Sequence, residues 1–319
     1  MKKIVKTIFG IGALFFSLSF ANQVSALDIV FAEDRPDLRT LDPRITQSRH
    51  EEMLIVNIFD QLIAADSEGN HYSGLAKSWD ISSDGLEYTF QLRNDVSFHD
   101  GTKFNAAAVK ATFDSIVDPE TGSQGAVDIL GPYKETIVVD DYTAKVVFER
   151  RYGSALTAFT ETELSIVSPT ALSKLGNDGF GMAPVGTGPF MFKNWEANKK
   201  VELVRNPDYN WAPEYMDGSG PSQVANLTYR LIKDTSTRVA ALEAGEIDIA
   251  ELVPPLDMNR FDSSGDLATV AGTVSGLPYA AFLNTTVGVF QDINVRKAFF
   301  HSLDRVKMTS DLFFGYADA

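Results

Sequence analysis

The apolar positions of this chain fall into two periods that alternate along its length. Residues 51–65, EEMLIVNIFDQLIAA, place apolar side chains at 54, 55, 58, 59, 62 and 63, the spacing of an amphipathic helix with acids in its first turn. In LEYTFQLRNDVSFHDG, Tyr88, Phe90 and Leu92 alternate with Glu87, Thr89, Gln91 and Arg93, which predicts a half-buried strand. Asn105 is placed to cap a helix over AAAVKATFDSIVD that Pro119 halts, and residues 120–131 read as a glycine-rich loop. TIVVDDYTAKVVFER reads as two strands joined at Asp140–Asp141, and Ser168–Pro169 opens a helix that Gly176 is expected to end.

The same reading assigns strands to LDIVFAED, to Phe190–Trp195, to KKVELVRNPDY, to NLTYRLIKD and to EIDIAEL. Thr235–Ala244 predicts a helix closed by Gly245, and DINVRKAFFHSLDRVKMTSDLFF predicts one long helix near the end. Strands alternate with helices but also come in pairs, so an α/β fold with mixed sheets is expected.

The N-terminus changes this picture first. Lys2, Lys3 and Lys6 precede an apolar run over 7–20, and VSA at 24–26 offers small residues for cleavage, the pattern of a secretory signal peptide over 1–26. The run is too short for a permanent membrane span. The chain has no cysteine, which excludes disulfides, thiolate metal sites and a lipid-modified cysteine. A periplasmic, non-lipoprotein destination is therefore expected. The formal charge of −15 falls to −18 once the leader and its three lysines are removed, a field unsuited to nucleic acid or anionic lipid.

Candidate chemistry is sparse. His50, His71, His99 and His301 show no metal-ligand spacing and read as isolated surface or loop residues, so no metal site is expected. DGSGP lacks the first glycine of a nucleophile elbow. PVGTGPFMFKNW, residues 184–195, lacks both the Walker lysine and a third glycine entering a helix, so phosphate binding fails. Its prolines fix φ while Gly186 and Gly188 permit positive φ and close backbone approach, which suits a chain crossing between two bodies. No catalytic residue and no cofactor emerges.

Five segments carry a resemblance. TLDPR after the first strand, GLAKSWDISSDGLEYTFQLRNDVSFHDGTKFNAAAVKATFD, PVGTGPF with Trp195, RNPDYNW with ALEAGEIDI, and FLNTT followed by DINVRKAFFHSLDR occur in this order. Together they make the chain similar to the N-terminal part of the extracellular solute-binding proteins of family 5, which serve ABC importers of peptides, nickel chelates and related solutes. The resemblance implies a periplasmic binding protein-like (type II, cluster C) bilobal fold. Lobe I would take 27–49 and 184–271, domain II 50–183, and 272–319 would begin a second lobe that is truncated here.

It also implies ligand contacts at Thr46, Gln47, Ser48 and Arg49, with a solvated loop as the competing reading, and at Tyr279, Ala280 and Phe282, with a core strand as the competing reading. Gly186, Thr187, Gly188 and Pro189 would form the hinge. Trp195 and Trp211 are read as packing. The implied partners are a small-molecule or peptide ligand and the importer's membrane permease, with a monomeric chain and no enzyme activity. Nickel-chelate, opine or oligosaccharide capture, a sensing role and an exported hydrolase stand as alternatives.

Overall fold

The computed structural model describes residues 27–34, 38–216, 218, 220–265, 267–270 and 280–317. The first strand, β1 (Leu27–Glu33), is followed by the largely buried segment 38–48 and by helix α1 (Arg49–Ile58). A short hairpin of β2 (Ile63–Ala65) and β3 (His71–Ser73) follows, then β4 (Ala76–Ile81), β5 (Glu87–Leu92), α2 (Ala106–Val117) and α3 (Gly125–Leu130). Next come β6 (Tyr133–Asp140), β7 (Thr143–Phe148), α4 (Ala155–Ala158) and α5 (Pro169–Phe180). The chain continues with β8 (Phe190–Glu196), β9 (Lys200–Arg205), β10 (Val224–Leu231), α6 (Thr235–Glu243), β11 (Ile249–Ala250) and α7 (Pro255–Ser264). Helices α8 (Ile293–His301) and α9 (Arg305–Phe313) complete it.

Two principal sheets organise these elements. The larger has the order β11-β1-β10-β9-β8, with β1 parallel to both its neighbours and the rest antiparallel, so it is mixed as expected. The other, β4-β5-β7-β6, is antiparallel throughout. Tyr88, Phe90 and Leu92 all point into the core beneath this second sheet, where Phe159 stacks on Phe113 at 5.8 Å and meets Phe90 edge-on at 5.0 Å. A separate core lies under the five-stranded sheet, where Leu54, Ile55 and Ile58 of α1 and Ala171 and Phe180 of α5 pack on Phe190, Val201, Leu203 and Tyr229. This packing draws α1 and α5, both within the expected 50–183 unit, onto the five-stranded sheet.

Four expectations are corrected. The helix expected over 51–65 stops at Ile58, because tertiary partners take its next carbonyls: Ile58 O accepts from Gly188 N–H at 2.8 Å, Gln61 O from Leu75 N–H and Leu62 O from Ala76 N–H. Leu62 and Ile63 then belong to the other core. The expected loop over 120–131 contains α3, whose Ala126 and Leu130 are fully buried, so burial outweighs the glycines that flank it. Gly176 does end the first helical stretch of α5, as expected: at φ 69° and ψ 174° it leaves the helical conformation, and a second short stretch beyond it runs to the buried Phe180. The long terminal helix is two, divided at Asp304, whose carboxylate accepts from Lys307 N–H and starts α9. Strand EIDIAEL also shortens to two residues, as Leu252 at φ 49° turns the chain out of the sheet.

Candidate functional site: the loop before the first helix and the glycine-proline turn

The loop from β1 to α1 is folded by its own polar groups. Asp42 and Arg44 are both fully buried and pair in two contacts, Nη2 to Oδ2 at 2.6 Å and Nε to Oδ1 at 3.0 Å. The same guanidinium donates to Ser115 Oγ on α2 and Asn177 Oδ1 on α5, and lies 5.6 Å from the Phe180 ring. One residue of TLDPR thus ties the loop to two helices. Glu51, buried in the first turn of α1, accepts from Arg39 N–H at 2.8 Å and from Thr46 Oγ1–H at 2.7 Å.

These contacts sort the residues expected to meet ligand. Thr46 is 1% exposed and its hydroxyl is committed to Glu51, so its side chain faces inward. Gln47 is exposed and donates from Nε2 to Gln124 Oε1 at 2.8 Å, bridging the loop to the N-terminus of α3. Ser48 occupies the cap position of α1 in extended conformation without a side-chain capping bond, and Arg49 is exposed. Ala280 is exposed and Phe282 is 95% exposed, so neither packs as a core strand; Tyr279 lies outside the described residues.

The segment 184–189 runs between the two cores. Thr187 is fully buried and donates to Asp60 Oδ2 at 2.8 Å. Trp211 Nε1–H reaches the same oxygen at 2.9 Å, and Tyr209 O–H reaches Oδ1 at 3.2 Å. Burial raises the Asp60 carboxyl above its usual range, while these three donors and Arg93 pull it back. His99 N–H donates to Gly186 O and its Nε2 lies 3.0 Å from Gly188 O, which makes Nε2 the protonated nitrogen. Burial lowers His99 to about 4, so the ring is neutral at pH 7. Asn206 clasps the turn from the other side, with Nδ2–H on Gly188 O and N–H on Pro189 O.

Neither Gly186 nor Gly188 adopts a positive φ. The glycines are required by proximity: a Cβ on Gly186 would stand 2.1 Å from Ile58 O, and one on Gly188 would stand 2.6 Å from Ile58 C. Trp211 is 5% exposed within the core of the four-stranded sheet, and Trp195 packs against the core of the five-stranded one.

Two features of this region were not expected from the sequence. Asp34 just after β1, His50 in α1 and Glu251 just after β11 bring one ligand atom each to within 4.8 Å of one another. All three lie beside the carboxyl ends of adjacent parallel strands, where open α/β sheets place their binding sites. An acid at the end of each of two strand patterns was the available signal. His99, read as a loop histidine, is the other miss, and it is built into the turn. A cavity of about 530 Å³ lies on the opposite face of the five-stranded sheet, lined by Val30, Lys200, Thr228, Arg230 and Glu246, and touches none of the expected ligand residues.

The glutathione-binding protein GsiB of Escherichia coli (strain K12) is 29% identical over 305 residues, covering 96% of this chain and 57% of that protein. The fold is similar to NikZ from Campylobacter jejuni, solved in complex with Ni(L-His), with a TM-score of 0.74 at 25% identity, covering 91% of this chain and 56% of that one. It is also similar to the periplasmic binding protein DppA from Helicobacter pylori in complex with peptide STSA, with a TM-score of 0.72 at 26% identity over 90% of this chain and 58% of that one. These similarities place the architecture among the type II periplasmic binding proteins. The chain spans a little over half the length of the relatives it matches. The model of bacterial extracellular solute-binding proteins, family 5 Middle, matches residues 70–319, and the chain belongs to that family.

Proposed function

We propose that this chain is the solute-capturing component of an ABC importer, acting in the periplasm after removal of residues 1–26. It binds a di- or oligopeptide and delivers it unchanged to the membrane permease. The family match over 70–319 carries this reading. The names of two relatives, a glutathione-binding protein and a binding protein solved with a peptide, favour peptide-like solutes within it.

In this reading Gln47, Ser48 and Arg49 meet the ligand, with Ala280, Phe282 and Tyr279 on the facing wall. The polar side chains of the first segment suit an extended peptide main chain, and the Arg49 guanidinium suits its carboxylate. The turn 186–189 serves as the hinge. One lobe is built on the five-stranded sheet with α1 and α5, and domain II on the four-stranded sheet. Capture needs no catalysis, since the ligand stabilises the closed arrangement by its greater affinity for it. The chain acts as a monomer and does not engage nucleic acid.

Equilibrium dialysis with labelled di- and tripeptides, glutathione among them, followed by mass spectrometry of the retained material, tests this. Retention of intact peptide is expected. Cleaved peptide would instead indicate a hydrolase, and retention of a nickel–histidine chelate with no peptide would replace the solute class.

A further inference from the structure

We propose that Asp34, His50 and Glu251 form a binding site for a divalent transition-metal ion of the zinc type. The three donors come from three separate elements that the fold brings together, and each offers one atom within 4.8 Å of the others. His50 Nδ1 is shielded from solvent and has no hydrogen-bond partner, and it stands 4.0 Å from Glu251 Oε2. That separation is too long for a hydrogen bond. A zinc ion held at about 2.0–2.2 Å from nitrogen and oxygen donors sets them roughly 3.3–3.5 Å apart in tetrahedral geometry, a small rotation of side chains from the observed spacing.

The backbone that carries these donors is held in place. Glu251 N–H donates to Ala32 O within the parallel ladder. The Arg238 guanidinium, 1% exposed, donates to the carbonyl oxygens of Glu251 and Leu252 on one side and Ile232 on the other.

The donor set selects the ion. One imidazole with two carboxylates suits zinc and its neighbours, whereas calcium and magnesium take oxygen donors alone. Three protein ligands leave one tetrahedral position for water or an exogenous group. The site stands on this cluster and does not depend on which solute the protein captures.

Isothermal titration of zinc chloride into the untagged, metal-stripped chain tests the proposal. One equivalent is expected to bind with micromolar affinity or tighter. His50→Ala, Glu251→Gln and Asp34→Asn are each expected to weaken it at least about tenfold, as loss of a ligand does, while His71→Ala leaves it unchanged. Circular dichroism checks the fold of each variant, and Asp34→Asn, at a partly exposed position, keeps the test open if His50→Ala misfolds. Absence of saturable one-to-one binding overturns the proposal, as does binding that survives the Asp34, His50 and Glu251 changes or is lost with His71→Ala.

Discussion

Thr187 donates a 2.8 Å hydrogen bond to Asp60 although the two belong to segments on opposite sides of the four-stranded domain in sequence. Asp60 is the point where the end of α1, the glycine-proline turn and the Tyr209–Trp211 segment are joined. Asp60→Ala would leave three enclosed donors without an acceptor and is expected to cost about 3 kcal/mol in urea unfolding, at 1–3 kcal/mol per orphaned group. Asp60→Asn should cost no more than about 1 kcal/mol, because its oxygen still accepts from Thr187 and Trp211 and burial already disfavours the charged form. Thr187→Val should fall near 1 kcal/mol. An Asn variant as damaging as the Ala one would refute this account of the join.

The turn's glycines can be tested against others in the chain. Gly186→Ala and Gly188→Ala drive a methyl into the Ile58 backbone, which cannot retreat without dragging α1, so each is expected to cost about 3 kcal/mol. Gly101 has φ +82° and open space around it, and its Ala variant should lose only about 1 kcal/mol, from backbone strain. Thermal unfolding of the three variants side by side would show whether close approach outweighs positive φ.

The buried pair of Asp42 and Arg44 predicts a non-additive double-mutant cycle. Asp42→Ala strands a guanidinium with no solvent access and should destabilise by about 3–5 kcal/mol. Replacing both residues by apolar ones of similar size, Asp42→Leu with Arg44→Met, should recover most of that loss. Equal losses in the single and double variants would mean that the loop is held by other contacts.

Acid should weaken the fold through His99. Its folded value of about 4 lies below the ordinary 6.5, so the neutral ring is the form the fold prefers. The associated stability is complete above pH 6.5 and is lost as pH falls through the window to about 4. At about 1.4 kcal/mol per unit, the change reaches up to about 3 kcal/mol. His99→Gln can keep a donor toward Gly188 O without titrating, and chemical denaturation at pH 7 and pH 5 should show a smaller difference between the two conditions for it than for the parent chain.

Exposed residues of the proposed capture loop should separate binding from stability. Arg49→Ala and Gln47→Ala remove side chains outside the core and are expected to leave the melting temperature within about 2 °C, as surface changes of under 0.5 kcal/mol do. Arg49→Ala should weaken peptide retention about tenfold or more, in line with loss of a charge-assisted contact. Unaltered retention would return this segment to the status of a solvated loop.

The elements whose signals are local were legible from residue order alone. Alternation over Glu87–Leu92, the Asn105 cap of α2, the Ser168–Pro169 start of α5 and the start of α6 at Thr235 all act within one or two turns of chain, and each occurs where pattern places it. The family was legible because its segments recur in order. Boundaries set by distant partners were not. Whether the apolar pattern over 54–63 stays helical depends on Gly188 taking the Ile58 carbonyl, and whether residues 125–130 coil depends on a core that accepts Ala126 and Leu130. The glycines of the turn were recognised, but their reason is the passage of α1 against them, a fact of packing with no trace in a dipeptide. The meeting of Asp34, His50 and Glu251 likewise follows from strand order β11-β1-β10, since parallel neighbours need not be neighbours in sequence.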